Sequence, residues 1–233
     1  MTQIYRHALF AYFCFFQFLS LYGQTTSRVI HIGSYERDEI VRAAESPNGN
    51  MILSGYFSDT LFFRPGSYYI AAKTTSEAYI AAIDKDGVPQ WHQTISGAVP
   101  PFLSSVTTDH ANNIYAGGYF SREATLPDET VLSSPQEFQP LLLKFSQDGS
   151  FLWYKTFPSN GFSTLAGLAA DNEGNVYAAV QVNGDTVSVE GVKYPTLKKS
   201  AVVIKYDSDG NLKWARFLSS PSAAGLSAGA GDR

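Results

Sequence analysis

Two short stretches carry alternating carboxylates, Asp84-Lys85-Asp86-Gly87 and Asp207-Ser208-Asp209-Gly210. Asp84, Asp86, Asp207 and Asp209 are weak calcium candidates, because a hard cation is held by oxygens spaced along one loop. A third, aligned copy, Ser146-Gln147-Asp148-Gly149, breaks the pattern, and none of the three has the distant bidentate Glu of a complete EF-hand loop. The plain turn is the favoured reading, and no cofactor is expected. Gly225-Leu226-Ser227-Ala228-Gly229 has the spelling of a hydrolase nucleophile elbow. That motif needs a helix after it and acid and His partners downstream, which do not follow here. His31, His92 and His110 are isolated from one another, so zinc chemistry has little support. Asp59 and Asp185 stand at similar places in different copies, and a glycosidase would need two such carboxylates to converge. Structural or solvated carboxylates are favoured instead. Gly117-Gly118 lies within a strand and precedes no helix, so it is no phosphate cradle. No catalytic residue is assigned.

The elements that would position any of these residues recur. Trp91, Trp153 and Trp214 each follow an Asp-Gly pair and lie 62 and then 61 residues apart, a period that stacked or radial architectures write into sequence. Before each tryptophan stands an apolar run: Ala78-Tyr79-Ile80-Ala81-Ala82-Ile83, Leu141-Leu142-Leu143-Lys144-Phe145 and Val202-Val203-Ile204-Lys205-Tyr206. Short runs bounded by turns read as strands buried on both faces. Gly87, Gly149 and Gly210 supply the positive φ of the hairpin, with Asp as its side-chain cap. Earlier in each copy Asn50, Asn113 and Asn175 each open another strand, whose central residues Ser54, Gly117 and Ala179 are small enough for close backbone approach. Val106 to Asp109 and Leu168 to Asp171 supply a strand before it. Each copy is thus four strands, with an excursion between the second and third that varies in length and sequence. The third excursion has the makings of a small hairpin, Thr186-Val187-Ser188-Val189-Glu190-Gly191. The tryptophan on the outer strand fits a wedge between neighbouring blades, with a platform for sugar rings as the alternative.

Composition sets the class. Of 233 residues, 44% are apolar and 16% charged, enough to fill a core, and a net charge of −4 leaves no electrostatic footprint for nucleic acid. Lys198-Lys199 is the one basic cluster, best read as a solvated turn. The N-terminus has Arg6 and His7, an apolar run from Ala8 to Leu21 and then Gly23, the form of a secretory signal peptide cleaved before Gln24. Such a run is too short for a stable membrane span. Cys14, the one cysteine, falls inside it, so the mature chain would have neither a disulfide nor a reactive thiol.

The expected fold is all-β. It comprises β-propeller-type blades of about 62 residues, three complete repeats plus the start of a fourth, making an incomplete propeller. The divisions are 1–23 signal peptide, 24–37 lead-in, 38–100, 101–162 and 163–223 as repeats, and 224–233 as a truncated fourth opening. Asp109, Asp171 and Asp232 each stand eighteen residues after a repeat tryptophan, so the chain is expected to belong to a longer parent.

The combination of Asn-Val-Tyr, an excursion with Asp-Thr, a buried strand, Asp-x-Asp-Gly and Trp resembles the β-propeller repeats of secreted and surface proteins of bacteria, called SBBP repeats. The resemblance covers about residues 38–223. It implies blades in a long extracellular protein, localised at the cell surface or secreted. On this reading the chain is a non-enzymatic scaffold for a protein or glycan partner. The alternatives are a propeller-fold hydrolase or lyase acting on polysaccharide and a calcium-stabilised adhesin. Unpaired blade edges would also leave the isolated chain prone to self-association.

Overall fold

The computed structural model describes residues 32–34, 36–63, 69–135, 137–197 and 200–218. The expected signal peptide with Cys14, His31, most of the lead-in, Lys198-Lys199 and the fourth opening with its 225–229 motif lie outside these. Every regular element among the described residues is a strand, and the strands form three blades. Blade 1 holds β2 (Asp38–Glu45), β3 (Met51–Phe62), β4 (Tyr69–Ile83) and β5 (Pro89–Ile95), preceded by the two-residue β1 (Gly33–Ser34) on the end of β3. Blade 2 holds β6 (Phe102–Thr108), β7 (Ile114–Phe120), β10 (Gln139–Phe145) and β11 (Phe151–Thr156), with β8 (Glu123–Thr125) and β9 (Val131–Ser133) as a rim hairpin. Blade 3 holds β12 (Ser163–Ala170), β13 (Val176–Val182), β16 (Ser200–Tyr206) and β17 (Leu212–Leu218), with β14 (Thr186–Val189) and β15 (Val192–Pro195) as its rim hairpin. Blade 1 has no separate hairpin, because its excursion prolongs β3 and β4, pairing Thr60 with Ala71 and Phe62 with Tyr69.

All three blades are antiparallel meanders in chain order, so the ends of each sheet differ in kind. One end carries two tight turns per blade. The other carries the excursions and the linkers between blades, and is here called the hairpin face. The third strands are the buried ones: β10 has no exposed residue, and residues 78–83 of β4 are likewise covered. Buried on both faces, such a strand can be apolar throughout rather than alternating.

The tight turns follow one design. The first residue's carbonyl accepts from an N–H three residues on: Asp84 from Gly87, Ser146 from Gly149, Asp207 from Gly210. Those glycines have φ of +72°, +83° and +81°, whereas the Asp before each is not left-handed. The turn is therefore a type I turn closed by a left-handed glycine, which forces the register shift that follows in each hairpin. The cap also sits differently from expectation. Asp84 Oδ1 accepts from the N–H of Asp86 and Val88, and Asp207 Oδ1 from those of Asp209 and Asn211, so the capping carboxylate is the first residue of the turn rather than the Asp beside Gly. In blade 2 the Ser146 hydroxyl takes that place, accepting from the N–H of Ser150 and bonded to Asp148.

The blades pack face to face through their innermost strands, β2 on β6 and β6 on β12. Each innermost strand has a bulge at the same level, opposite Ser54-Gly55, Gly117-Gly118 and Ala179-Val180. Crowding there explains the small residues. A Cβ on Gly117 would stand 2.8 Å from Leu165 of the next blade, and one on Gly118 would stand 1.8 Å from the Phe102 carbonyl oxygen. Ser54 Oγ donates to Leu103 O across the first seam and Ser104 Oγ to Leu165 O across the second.

Candidate binding surface

Each seam is closed by the outer tryptophan of one blade reaching the outer turn of the next. Trp91 Nε1 donates to Gln147 O at 2.9 Å, and its ring lies where a Cβ on Gly149 would be, 2.4 to 2.7 Å from indole atoms. Trp153 repeats the contact on Ser208 O at 3.1 Å and over Gly210. Glycine in these turns thus serves twice, supplying the left-handed backbone and leaving room for the indole. Trp91 and Trp153 are half-buried wedges. Trp214 packs on Tyr177 of its own blade, ring centroids 5.9 Å apart, as Trp153 packs on Tyr115 at 6.0 Å, but meets no following turn among the described residues.

The second seam adds a polar network. Asp109 accepts from Asn113 Nδ2 at 2.8 Å and from the Tyr115 hydroxyl at 3.1 Å, while that hydroxyl lies 3.2 Å from Gly174 O of blade 3, a second acceptor. Lys144, in the middle of an apolar strand, sends Nζ to Ser208 O and Oγ at 2.6 and 2.7 Å and lies 5.2 Å over the Tyr115 ring. Burial pushes its ammonium below the ordinary Lys value, against the attraction of Asp109, Asp209 and Asp207. Burial, then Asp109, pushes the Tyr115 phenol above its usual range. Blade 3 repeats the set as Asp171, Asn175, Tyr177 and Lys205, whereas blade 1 has Ser46, Asn50, Ile52 and Ala82 at these places. Asn50 there donates its backbone N–H to Asn48 Oδ1.

On the hairpin face, between blades 1 and 2, an open groove of about 500 Å3 has Arg37, Tyr56, Phe102, Tyr119, Glu137 and Phe138 in its lining. Tyr56 and Tyr119 occupy the same register, turned outward because the next residues, Phe57 and Phe120, point into the core. Ring contacts run along its blade 2 side, with centroids 5.6 Å apart for Phe102 and Tyr119 and 4.9 Å for Tyr119 and Phe138, and continue beyond it to Phe162, 4.7 Å from Phe138. Arg37 sits 5.4 Å over the Tyr56 ring and donates to its hydroxyl, which in turn donates to Glu39.

The carboxylates singled out from sequence do not assemble. Asp84 and Asp207 cap their own turns, Asp86 pairs with Lys85 at 2.8 Å, and Asp209 lies in the turn beneath Trp153. Asp59, with φ of +64°, sits at a register shift in β3, and Asp185 donates its N–H to Asn160 Oδ1. Among the described residues no three His, Cys, Asp or Glu side chains form a metal-holding group. His92 is half-buried, which pushes its pKa down. The Lys144 network and the groove escaped the sequence reading. The recurrence of Lys144 and Lys205 at one place in otherwise apolar runs was the available signal for the first, and the groove left none, since its rings come from separate strands and linkers.

No family model matches the chain. It is 27% identical over 194 residues to an uncharacterized WD repeat-containing protein, L264, of Acanthamoeba polyphaga mimivirus, a match covering 76% of this chain and 14% of that protein. This chain is a β-propeller-type repeat protein. Its array spans only a small part of the length of the relative it matches.

Proposed function

We propose that this propeller-type array is a non-enzymatic binding scaffold of the secreted, SBBP-like kind, exported by cleavage before Gln24 and engaging a protein or glycan through its hairpin face. The observation that carries the reading is the aromatic groove between blades 1 and 2. Concave, largely apolar surface with a few polar groups at its margin is the composition of a ligand site, and here Arg37 and Glu137 supply the charges. The face also varies as binding faces do: blade 1 prolongs two strands where blades 2 and 3 build unlike hairpins, whereas the tight turns at the opposite end keep one design. The WD repeat relative is in keeping with a repeat array, and the scaffold calls for no cofactor.

The test is a screen of the exported chain against immobilised oligosaccharides and a peptide array, repeated with Tyr119→Ala and Phe138→Ala. Ligand retention by the parent chain and its loss in both variants, at unchanged melting temperature, is the expected result. Equal retention by parent and variants overturns the groove as the site. Turnover of a retained oligosaccharide replaces the scaffold by an enzyme. N-terminal sequencing of the exported product tests the cleavage, which should leave Gln24 first.

A further inference from the structure

Blades 2 and 3 carry the same five side chains at the same register: Asp109, Asn113, Tyr115, Lys144 and Trp153 in one, Asp171, Asn175, Tyr177, Lys205 and Trp214 in the other. In blade 2 this set is the donor half of a joint. Tyr115 approaches Gly174 O, Lys144 and Trp153 donate to Ser208 O, and the indole covers Gly210. Every acceptor belongs to a tight turn of the following blade.

Blade 3 assembles its copy in nearly the same internal geometry. The Tyr177 hydroxyl donates to Asp171 Oδ2 at 2.9 Å, against 3.1 Å in blade 2, and Lys205 lies 4.9 Å over the Tyr177 ring, against 5.2 Å. The tyrosine and tryptophan rings are 5.9 Å apart, against 6.0 Å. Two things differ. Trp214 Nε1 meets no acceptor among the described residues, and Lys205 turns back to Asp171 at 3.4 Å instead of reaching a carbonyl. Among the described residues the donor half of the joint stands formed without its acceptor.

We propose that the outward face of blade 3 is a docking surface for a further blade of the same repeat type, following in tandem. Its outer turn lies under Trp214, and the carbonyl of the second turn residue accepts from Trp214 Nε1 and Lys205 Nζ. The fourth turn residue is glycine, because a side chain there would meet the indole as it would at Gly149. Its inner turn offers a carbonyl to Tyr177, as Gly174 does to Tyr115. A second copy of this chain is the poorer occupant. Its turns at Gly149 and Gly210 already hold Trp91 and Trp153, and its Gly87 is itself buried. The WD repeat-containing relative is itself much the longer protein, of which this chain covers 14%.

The experiment compares the full chain with one lengthened after Leu218 by a second copy of residues 158–218. In the full chain, Trp214→Ala should leave the melting temperature nearly unchanged and lower the acrylamide-quenchable part of the emission. In the lengthened chain the same substitution should lower the melting temperature as much as Trp153→Ala does, and Trp214 should be shielded from quencher. Equal, small effects of Trp214→Ala in both chains overturn the proposal. If the lengthened chain does not fold, a cyclised hairpin peptide of residues 200–218 is titrated into the full chain. A saturable blue shift is then expected, absent with Trp214→Phe and absent for a peptide carrying Gly210→Val, and no shift overturns the proposal. Concentration-dependent sedimentation of the full chain abolished by Trp214→Ala assigns the face to a second copy and likewise overturns it.

Discussion

At the scale of single residues, Trp153 and Trp214 are the same amino acid at the same register in different surroundings. Trp153→Ala removes a half-buried indole and leaves an unfilled seam, and should destabilise by about 3 kcal/mol in chemical denaturation. Gly149 and Gly49 separate two roles of glycine. Both have φ of +83°, but a Cβ at Gly149 would strike the Trp91 ring at 2.4 Å while one at Gly49 meets nothing within 4 Å. Gly49→Ala should cost about 1 kcal/mol for the left-handed backbone alone. Gly149→Ala should cost at least twice that, since the indole must also move. Asp171 tests the polar set. Burial raises its pKa, but hydrogen bonds from Asn175 and Tyr177 and the charge of Lys205 outweigh this and hold it below the ordinary carboxylate value. A lowered folded-state pKa means that this contribution is present above the unfolded value near ~4 and is lost as pH falls through the folded one. Thermal melts should therefore show stability falling below about pH 4, with a shallower fall in Asp171→Asn.

At the scale of elements, the hairpins were legible because their signals are local. Asp-Gly before Trp marked the outer turns, and apolar runs marked the third strands, which the structure buries over residues 78–83 and 139–145. The capping residue was misplaced by two positions, since a type I turn closed by left-handed glycine and a shorter Asp-Gly turn share the same dipeptide. What sequence could not show depends on register between strands distant in the chain. Lys144 looks like an error in an apolar strand until Ser208, 64 residues on, is placed above it. The groove depends still more on assembly, because Phe102, Tyr119 and Phe138 meet only when a linker, a strand end and an excursion reach the same rim. Its rings stand outside the two seam cores. Tyr119→Ala should therefore abolish ligand retention while shifting the melting temperature far less than Trp153→Ala, and parallel binding and melting measurements check it.

At the scale of the whole molecule, cohesion among the described blades comes from two apolar seams. Asp84 and Asp207 each spend Oδ1 on backbone N–H groups of their own turns and Oδ2 on side chains of the same hairpin, Gln90 in one and Asn211 and Lys213 in the other. Melting with excess EDTA and with millimolar calcium should accordingly give the same midpoint, and a calcium-dependent rise would restore the ion-stabilised adhesin. The threefold likeness seen in sequence is uneven in space. Blade 1 lacks the Asp-Tyr-Lys set, so its seam with blade 2 joins apolar contact with neutral hydrogen bonds, among them those from Ser54, Trp91, Gln93 and Thr108, whereas the seam between blades 2 and 3 adds charge-assisted hydrogen bonds from Lys144.

The forward reach of each indole has an evolutionary corollary. Plug and socket lie on one hairpin, the socket in its turn and the plug a few residues later, so a single gene segment encodes both. Any in-frame duplication of that segment, wherever its breakpoints fall, yields a newcomer already able to mate with its neighbours on either side. Arrays of this kind can grow or shrink by unequal crossing-over without a compensating mutation.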